Sequence, residues 1–507
     1  MKQQALLFGL ALIAASAALV PMRAHAAPTP AIPLFTELLD QQQDHFVLNR
    51  RTRQLVTATG ASAAVGVASK LLSHARSATS AIVRQEPGDD DPPSNLTTAW
   101  DRLAEMTDTF GPRPGGSQAL EQSIDWMVEQ AKKDGFEVHT EDVPIPFWKR
   151  GQEYATLTTP TWTTNLSLVG LGFSAPTPPQ GIDAPVYVVK DRAQLDEAGE
   201  RGDLKGKIVL INHAWESYGV GSAYRSSAAL WAEKWGAVAA LIQSVTPYSM
   251  RTPHTGGSKR AGIPAAALAV EDANIIARIF ARSKGQQPRI RLYMESESGD
   301  AVSRNVVVDL PGADPVLAKD VVLFGGHIDS WDKGVGAQDD GIGMMTMYQA
   351  IYLLKHAVKF TPRRTLRVVF FTAEETGIFG GNAYFEAHAK DTNVVSAIES
   401  DTGVFTPWGL TLGGQLLTDA ALRQFEAIGE NIRDNGGRGW RVKRGYAGAD
   451  VEKWCVQAVC GSWVSATGDD VYFRYHHTAA DMMDAINPLD AEEAAATVAI
   501  YAAALSG

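Results

Sequence analysis

The sequence predicts an α/β protein built on an open, doubly wound, mostly parallel sheet. Three observations predict it. Residues 305–310, 321–325 and 365–371 are apolar, β-rich runs without alternation, as strands covered on both faces should be. Between two of them, Met344, Met347, Tyr348 and Ile351 recur at helical spacing and read as the buried face of a helix. Acids and histidines follow the runs closely, where open α/β sheets place their ligands.

The elements justify this in chain order. Lys2, an apolar run over 5–20 and Ala24-His25-Ala26 form a secretory signal pattern over residues 1–26, cut after Ala26. The run is shorter than the roughly 20 residues that span a bilayer. The mature chain is therefore expected to be exported, periplasmic or secreted, with no membrane span. Residues 27–95 read as a peripheral extension or propeptide with a linker; 61–75 is rich in small residues and helix-compatible, and 88–93 is an acidic, proline-broken stretch. Helices are expected over 97–110, stopped by Gly111-Pro112, and over 117–134, ended by Gly135. A strand follows over 136–145. Short strands over 186–189 and 208–211, a helix over 226–235 and a buried strand over 236–242 form a different unit. Residues 96–179 and 301–507 are then two parts of one catalytic domain, separated by an insertion over 180–300.

Composition excludes some functions. The 507 residues, 45% of them hydrophobic, suffice for two or three globular units. A formal charge of −11 argues against nucleic acid, which needs a basic face. Cys455 and Cys460 are the only cysteines. Two thiols fall short of a structural zinc site, and the sequence leaves open whether they pair.

The densest chemistry is Gly325-Gly326-His327-Ile328-Asp329-Ser330-Trp331-Asp332, read with Asp339, Glu374-Glu375, Asp401 and His477. Singly, each has a plain structural reading: a satisfied histidine, a solvated helix start at Glu374-Glu375, an N-cap at Asp339-Asp340. Together they supply nitrogen and oxygen ligands for two divalent metals. Hydrolytic metal pairs sit about 3.5–4 Å apart and share a carboxylate. Asp339, flanked by Gly336 and Gly341, is the natural bridge. His327 with Asp401 completes one metal, and Glu375 with His477 the other. A nitrogen and oxygen set without thiolate suits zinc. Asp329 is placed to accept the imidazole's second N–H and fix its tautomer. Glu374 is left free to take a proton from water and return it to a leaving amine.

These residues resemble the co-catalytic di-zinc exopeptidases of the aminopeptidase and glutamate carboxypeptidase group. The blocks that carry the resemblance are Gly326 to Asp332, Asp339 to Gly343, Thr372 to Glu375, Glu399 to Gly403 and His476 to Asp481. The likeness runs from about residue 97 to the C-terminus. It implies the zinc exopeptidase fold, two Zn²⁺ per chain, the ligands named above, and Glu374 as base. It also selects His477 over His476, because the family's ligand directly precedes Thr or Ser. The block over 204–209 resembles a β-rich protease-associated domain, which would be the insertion over 180–300. Ala449 departs from the family's Gly-Thr-Asp, which leaves substrate preference open.

The resulting expectation is an exported zinc exopeptidase acting on dipeptides or short peptides, a carboxypeptidase or dipeptidase. The alternatives are an aminopeptidase on the same site, a glutaminyl cyclase-like acyltransferase, and a non-catalytic binding protein. The resemblance is also compatible with a homodimer.

Overall fold

A computed structural model describes residues 55–84, 96–248, 250–283, 287–466 and 469–507. The signal pattern, the acidic stretch over 88–93 and most of the remaining N-terminal extension lie outside the described residues.

The strands are β1 (Glu137–Thr158), β2 (Thr163–Asn165), β3 (Leu168–Gly170), β4 (Ile182–Val189), β5 (Ile208–Ile211), β6 (Ala239–Gln243), β7 (Ala265–Leu268) and β8 (Arg289–Leu310). They continue with β9 (Asp320–His327), β10 (Thr365–Phe371), β11 (Asn393–Glu399), β12 (Pro407–Gly413), β13 (Arg441–Arg444) and β14 (Val459–Ser465). Their order is β13-β12-β14-β11-β9-β10-β8-β4-β5-β6-β7-β3, with β1 paired to β8 and β2. Strands β14, β11, β9 and β10 are mutually parallel, and β8 closes that group in antiparallel register.

All eight residues of β9 are buried. The helix Ile342–His356 follows it, with Met344, Met347, Tyr348 and Ile351 fully buried as their spacing predicts. The chain passes from β9 to β10 on one side, then to β11 on the other. This reversal opens a crevice at the carboxyl ends of the three strands.

Residues 166–294 build a second lobe. Strands β4 to β7 run parallel, with the helices Arg192–Glu200 and Tyr218–Glu233 on one face and Val270–Arg282 on the other. Helices and strands thus alternate in the region where the sequence suggests a β-rich module. Strands β1 and β8, 22 residues each, pair along their length and link this lobe to the first.

The small residues near the N-terminus are helical over Ala58–Arg84. Their expected peripheral position is corrected: Ala61, Ala64, Ala68, Leu71, Leu72 and Ala75 are fully buried. They face the alanine-rich C-terminal helix Pro488–Ser506. A Cβ on Gly60 would lie 2.1 Å from the carbonyl oxygen of Ala504, so only small side chains permit this approach. Cys455 and Cys460 form a disulfide that ties the turn Glu452–Val456 to β14.

Candidate metal centre

The five candidate ligands converge at the carboxyl ends of β9, β10 and β11. His327 ends β9. Its backbone N–H donates to Asp340 Oδ2 at 3.1 Å, and Nδ1 lies 3.0 Å from the carbonyl of Asp329. Nε2 is thereby turned toward Asp339 Oδ1 and Asp401 Oδ1, both at 3.4 Å. A Cβ on Gly326 or Gly343 would come within 2.3 or 1.9 Å of the Asp340 carboxylate, so both glycines are needed for Asp340 to reach the His327 backbone. The N-cap alternative for Asp339-Asp340 does not hold: neither side chain caps the following helix.

Asp339 presents its second oxygen to a separate pair. His477 Nε2 lies 3.3 Å from Asp339 Oδ2 and 3.0 Å from Glu375 Oε2. His476 is at 3.9 Å from the same Asp339 oxygen, with its ring stacked on that of His477. His477 Nδ1 sits 3.2 Å from the carbonyl of Thr255, which leaves Nε2 for the centre. His476 lies farther from Asp339 Oδ2 than His477 does, and it too is within ligand reach of this cluster.

Asp329 behaves differently from its expected role. The imidazole meets its carbonyl, while its carboxylate is 3.6 Å from Nδ1. The carboxylate instead accepts the backbone N–H groups of Glu374 and Glu375, at 3.0 and 3.3 Å. Ala373 before them has φ 56°, a left-handed conformation that alanine adopts only when its surroundings impose it. Asp329 therefore fixes the turn that carries both glutamates.

Burial, opposed by His327 and reinforced by Asp401, Asp329 and Asp339, pushes the Glu374 carboxyl well above its usual range. Burial, then the charges of Asp339 and Glu374, do the same for Glu375. Burial lowers His327, but contacts with Asp329, Asp339 and Asp401 prevail and raise it well above its ordinary value. Burial, then Arg225, lowers His477 and favours the neutral imidazole that ligates metal. The centre is a concentration of buried negative charge that a cation neutralises.

The donor atoms fit a metal on a second count. His327 Nε2, Asp339 Oδ2 and Glu375 Oε1 are buried without a hydrogen-bond partner. Burying such atoms unpaired costs about 1–3 kcal/mol each, and coordination satisfies all three. His327, Asp339 and Asp401 form one group able to hold an ion, and Asp339 with the histidines over 476–477 forms another.

Several residues support the centre in ways the sequence does not show. Arg113 is fully buried and donates to the carbonyls of Ile328, Val335 and Gly336, pinning both loops that carry His327 and Asp339. Its only local signal is the turn over 111–116. Asp481, the last residue of the 476–481 block, accepts the N–H groups of Gln338 and Asp339. The cleft above the centre, about 1040 Å³, draws Phe173, Trp215, Tyr218 and Arg225 from the second lobe and Tyr446 and Phe473 from the first.

Comparison with known proteins agrees with this geometry. Residues 305–502 match the model of peptidase family M28. Carboxypeptidase Q of Bos taurus is 38% identical over 412 residues, covering 79% of this chain and 84% of that protein. The crystal structure of a peptidase M28 precursor from Shewanella amazonensis superposes with a TM-score of 0.77 at 30% identity, covering 88% of this chain and 97% of that one. A zinc aminopeptidase from Bacillus subtilis shares the fold, with a TM-score of 0.60 at 21% identity over 80% of this chain and 94% of its own. With the site at the carboxyl ends of its strands and a relative this similar over most of both lengths, the chain belongs to peptidase family M28.

Proposed function

We propose that the chain is an exported exopeptidase holding two zinc ions, with carboxypeptidase or dipeptidase specificity. The observation that carries the metal reading is Asp339: one oxygen faces His327 and Asp401, the other faces His477 and Glu375. A single buried carboxylate between two such pairs is what a bridged pair of metals requires.

When bound, zinc supplies Lewis acidity, which acidifies a water molecule and polarises the scissile carbonyl. The chain's own residues do the rest. Glu374, held by Asp329 and lining the cleft, takes the water's proton on its carboxylate and delivers it to the leaving amine. Burial of His327, Asp339 and His477 keeps the ligands in one arrangement, so little reorganisation accompanies the reaction. The second pair, Glu375 with His477, supports a hydrolase over a cyclase.

Arg225 favours capture of the substrate's C-terminus. It is 7% exposed, lines the cleft beside His477, and makes no ion pair with a carboxylate among the described residues. Its Nε has no hydrogen-bond partner, and one terminal nitrogen donates to the hydroxyl of Tyr218. A buried guanidinium without an acid seeks an anion, and a peptide's terminal carboxylate is the anion this reaction supplies.

The N-terminal signal pattern supports export, and a disulfide suits an oxidising compartment. No described helix is long and apolar enough to cross a membrane. Residues 180–300 are read as the inserted module; they pack into two hydrophobic cores together with residues from 155–171.

One dipeptide in three forms tests the specificity on zinc-loaded protein. A carboxypeptidase cleaves the N-blocked form and spares the C-amidated form. A dipeptidase cleaves only the free form. Cleavage of the amidated form but not the blocked one would instead mean an aminopeptidase.

A further inference from the structure

Asp332 closes the Gly326–Asp332 block yet lies outside the ligand set. Its partner is Arg150, on β1. Arg150 Nε donates to Asp332 Oδ2 at 2.7 Å and one terminal nitrogen to Asp332 Oδ1 at 3.0 Å, a bidentate pair. The same nitrogen reaches Thr255 Oγ1 at 3.1 Å. The other donates to the carbonyl of Gly170 at 2.7 Å and to Glu153 at 2.9 Å. The Arg150 side chain is only 5% exposed. One buried guanidinium thus joins the loop after β9, the end of β3 and the 253–258 segment of the second lobe.

That segment is the outer support of His477. Thr255 N–H donates to the carbonyl of His477 at 3.0 Å, and the carbonyl of Thr255 lies 3.2 Å from His477 Nδ1. His477 has φ 62°, a left-handed conformation uncommon for a side chain of its size. Trp331, the neighbour of Asp332, packs its ring 5.7 Å from that of His477 and sits over Gly172, where a Cβ would come within 2.2 Å of the indole. Gly172 in turn pairs with the same segment: its N–H donates to Gly256, and its carbonyl accepts from Ser258. None of these hydrogen bonds is made to His327, whose own partners are Asp329 and Asp340.

We infer that Arg150 is a positioning residue for one metal only, the one held by Glu375 and His477, and that Asp332 serves as its anchor. This rests on the two-metal reading proposed above. Residues behind a metal ligand typically change affinity by about 10–100-fold when replaced. Arg150→Met should therefore weaken one zinc by about that factor and leave the other unchanged.

The test measures zinc per chain, and its dissociation constants, on the full-length protein by competition with a chromophoric chelator. Wild type, Arg150→Met, Arg150→Lys and Thr255→Val are compared, with His477→Ala as the reference for loss of that half. Thr255→Val removes the hydroxyl that accepts from Arg150 and donates to the Gly170 carbonyl while keeping side-chain shape, and so serves if Arg150→Met fails to fold. The expected result is two tight zincs in wild type, one tight and one weakened in Arg150→Met and Thr255→Val, and partial recovery in Arg150→Lys. Wild type with two zincs and folded variants with two unchanged zincs would overturn the inference alone. Weakening of both zincs equally would overturn it in favour of a general structural role. Wild type with fewer than two zincs would overturn the site reading and the inference together.

Discussion

The two halves of the proposed metal centre are built differently. On the first side the fixing of His327 comes from one neighbourhood: His327 ends β9, Asp329 follows within two residues, and Asp340 returns to the His327 backbone, with Asp401 brought in from the end of β11. The His477 half is assembled across the molecule. His477 lies near the C-terminus, Glu375 follows β10, and Thr255 behind the imidazole belongs to the second lobe. A histidine fixed within one loop system is written in a short motif. A half made from distant segments depends on whatever holds those segments together.

On the proposed reading Glu374 belongs to neither half. Glu374→Gln should therefore give the largest effect, a fall in kcat of about a thousandfold within the 10²–10⁴ range of general bases, with zinc content unchanged. Steady-state kinetics and metal analysis on the same preparation check it. Wild-type turnover would remove Glu374 as the base.

Asp339 belongs to both halves. Asp339→Ala should weaken both zincs together, in contrast to a change confined to one half. Two tightly held zincs in that variant, measured after dialysis, would contradict the bridge.

Arg225 sharpens the comparison from the substrate side. Arg225→Gln should raise KM for substrates with a free C-terminus at least about tenfold, the loss of a charge-assisted pair worth roughly 1.5–3 kcal/mol. Cleavage of C-amidated peptides should not change in step. An equal effect on both substrate types would mean that Arg225 acts through His477.

A further effect, on stability rather than turnover, lies behind the His327 half. Glu492 is fully buried and accepts the N–H of Ala99 at 2.6 Å, at the start of the helix Ala99–Phe110 that leads to Arg113. Burial first, opposed by hydrogen bonds from Ala99 and Gln349, pushes its carboxyl up to about 7. The folded value lies above the unfolded one, so the native state binds the extra proton. Stability is lost as pH rises from about 4.5 to about 7 and levels off above that. Relative to Glu492→Gln, wild type should lose up to roughly 3 kcal/mol across that window, read by denaturant melts. A constant difference from pH 4 to 8 would contradict it.

Legibility in the sequence follows the same division. Strand β10 was readable at both ends and β9 nearly so, because burial on both faces leaves uninterrupted apolar runs. Strands β1 and β8 were seen only in part. Much of their length bridges the lobes with solvent on their faces, and Pro144, Pro146 and Gly299 break the pattern. The helix Tyr218–Glu233 was expected to begin at 226, because Gly219 and Gly221 hide its first turns; a Cβ on Gly221 would lie 2.4 Å from Val245. The N-terminal helix was placed outside the core because alanines give no strong apolar signal, whereas its partner helix is equally small-sided. Within the site, the ligand types and their strand-end positions were readable. Arg113, Arg150 and Arg225 are not, since each acts through contacts with residues far away in the chain, and Asp481 is legible as the end of the 476–481 block but not in its role.

The most direct measurement is zinc stoichiometry in His327→Ala and His477→Ala beside wild type. Two zincs in wild type, with one retained in each variant and hydrolysis lost in both, is the predicted result. A single zinc in wild type, or two retained in either variant, would contradict a centre of two separately held halves joined by Asp339.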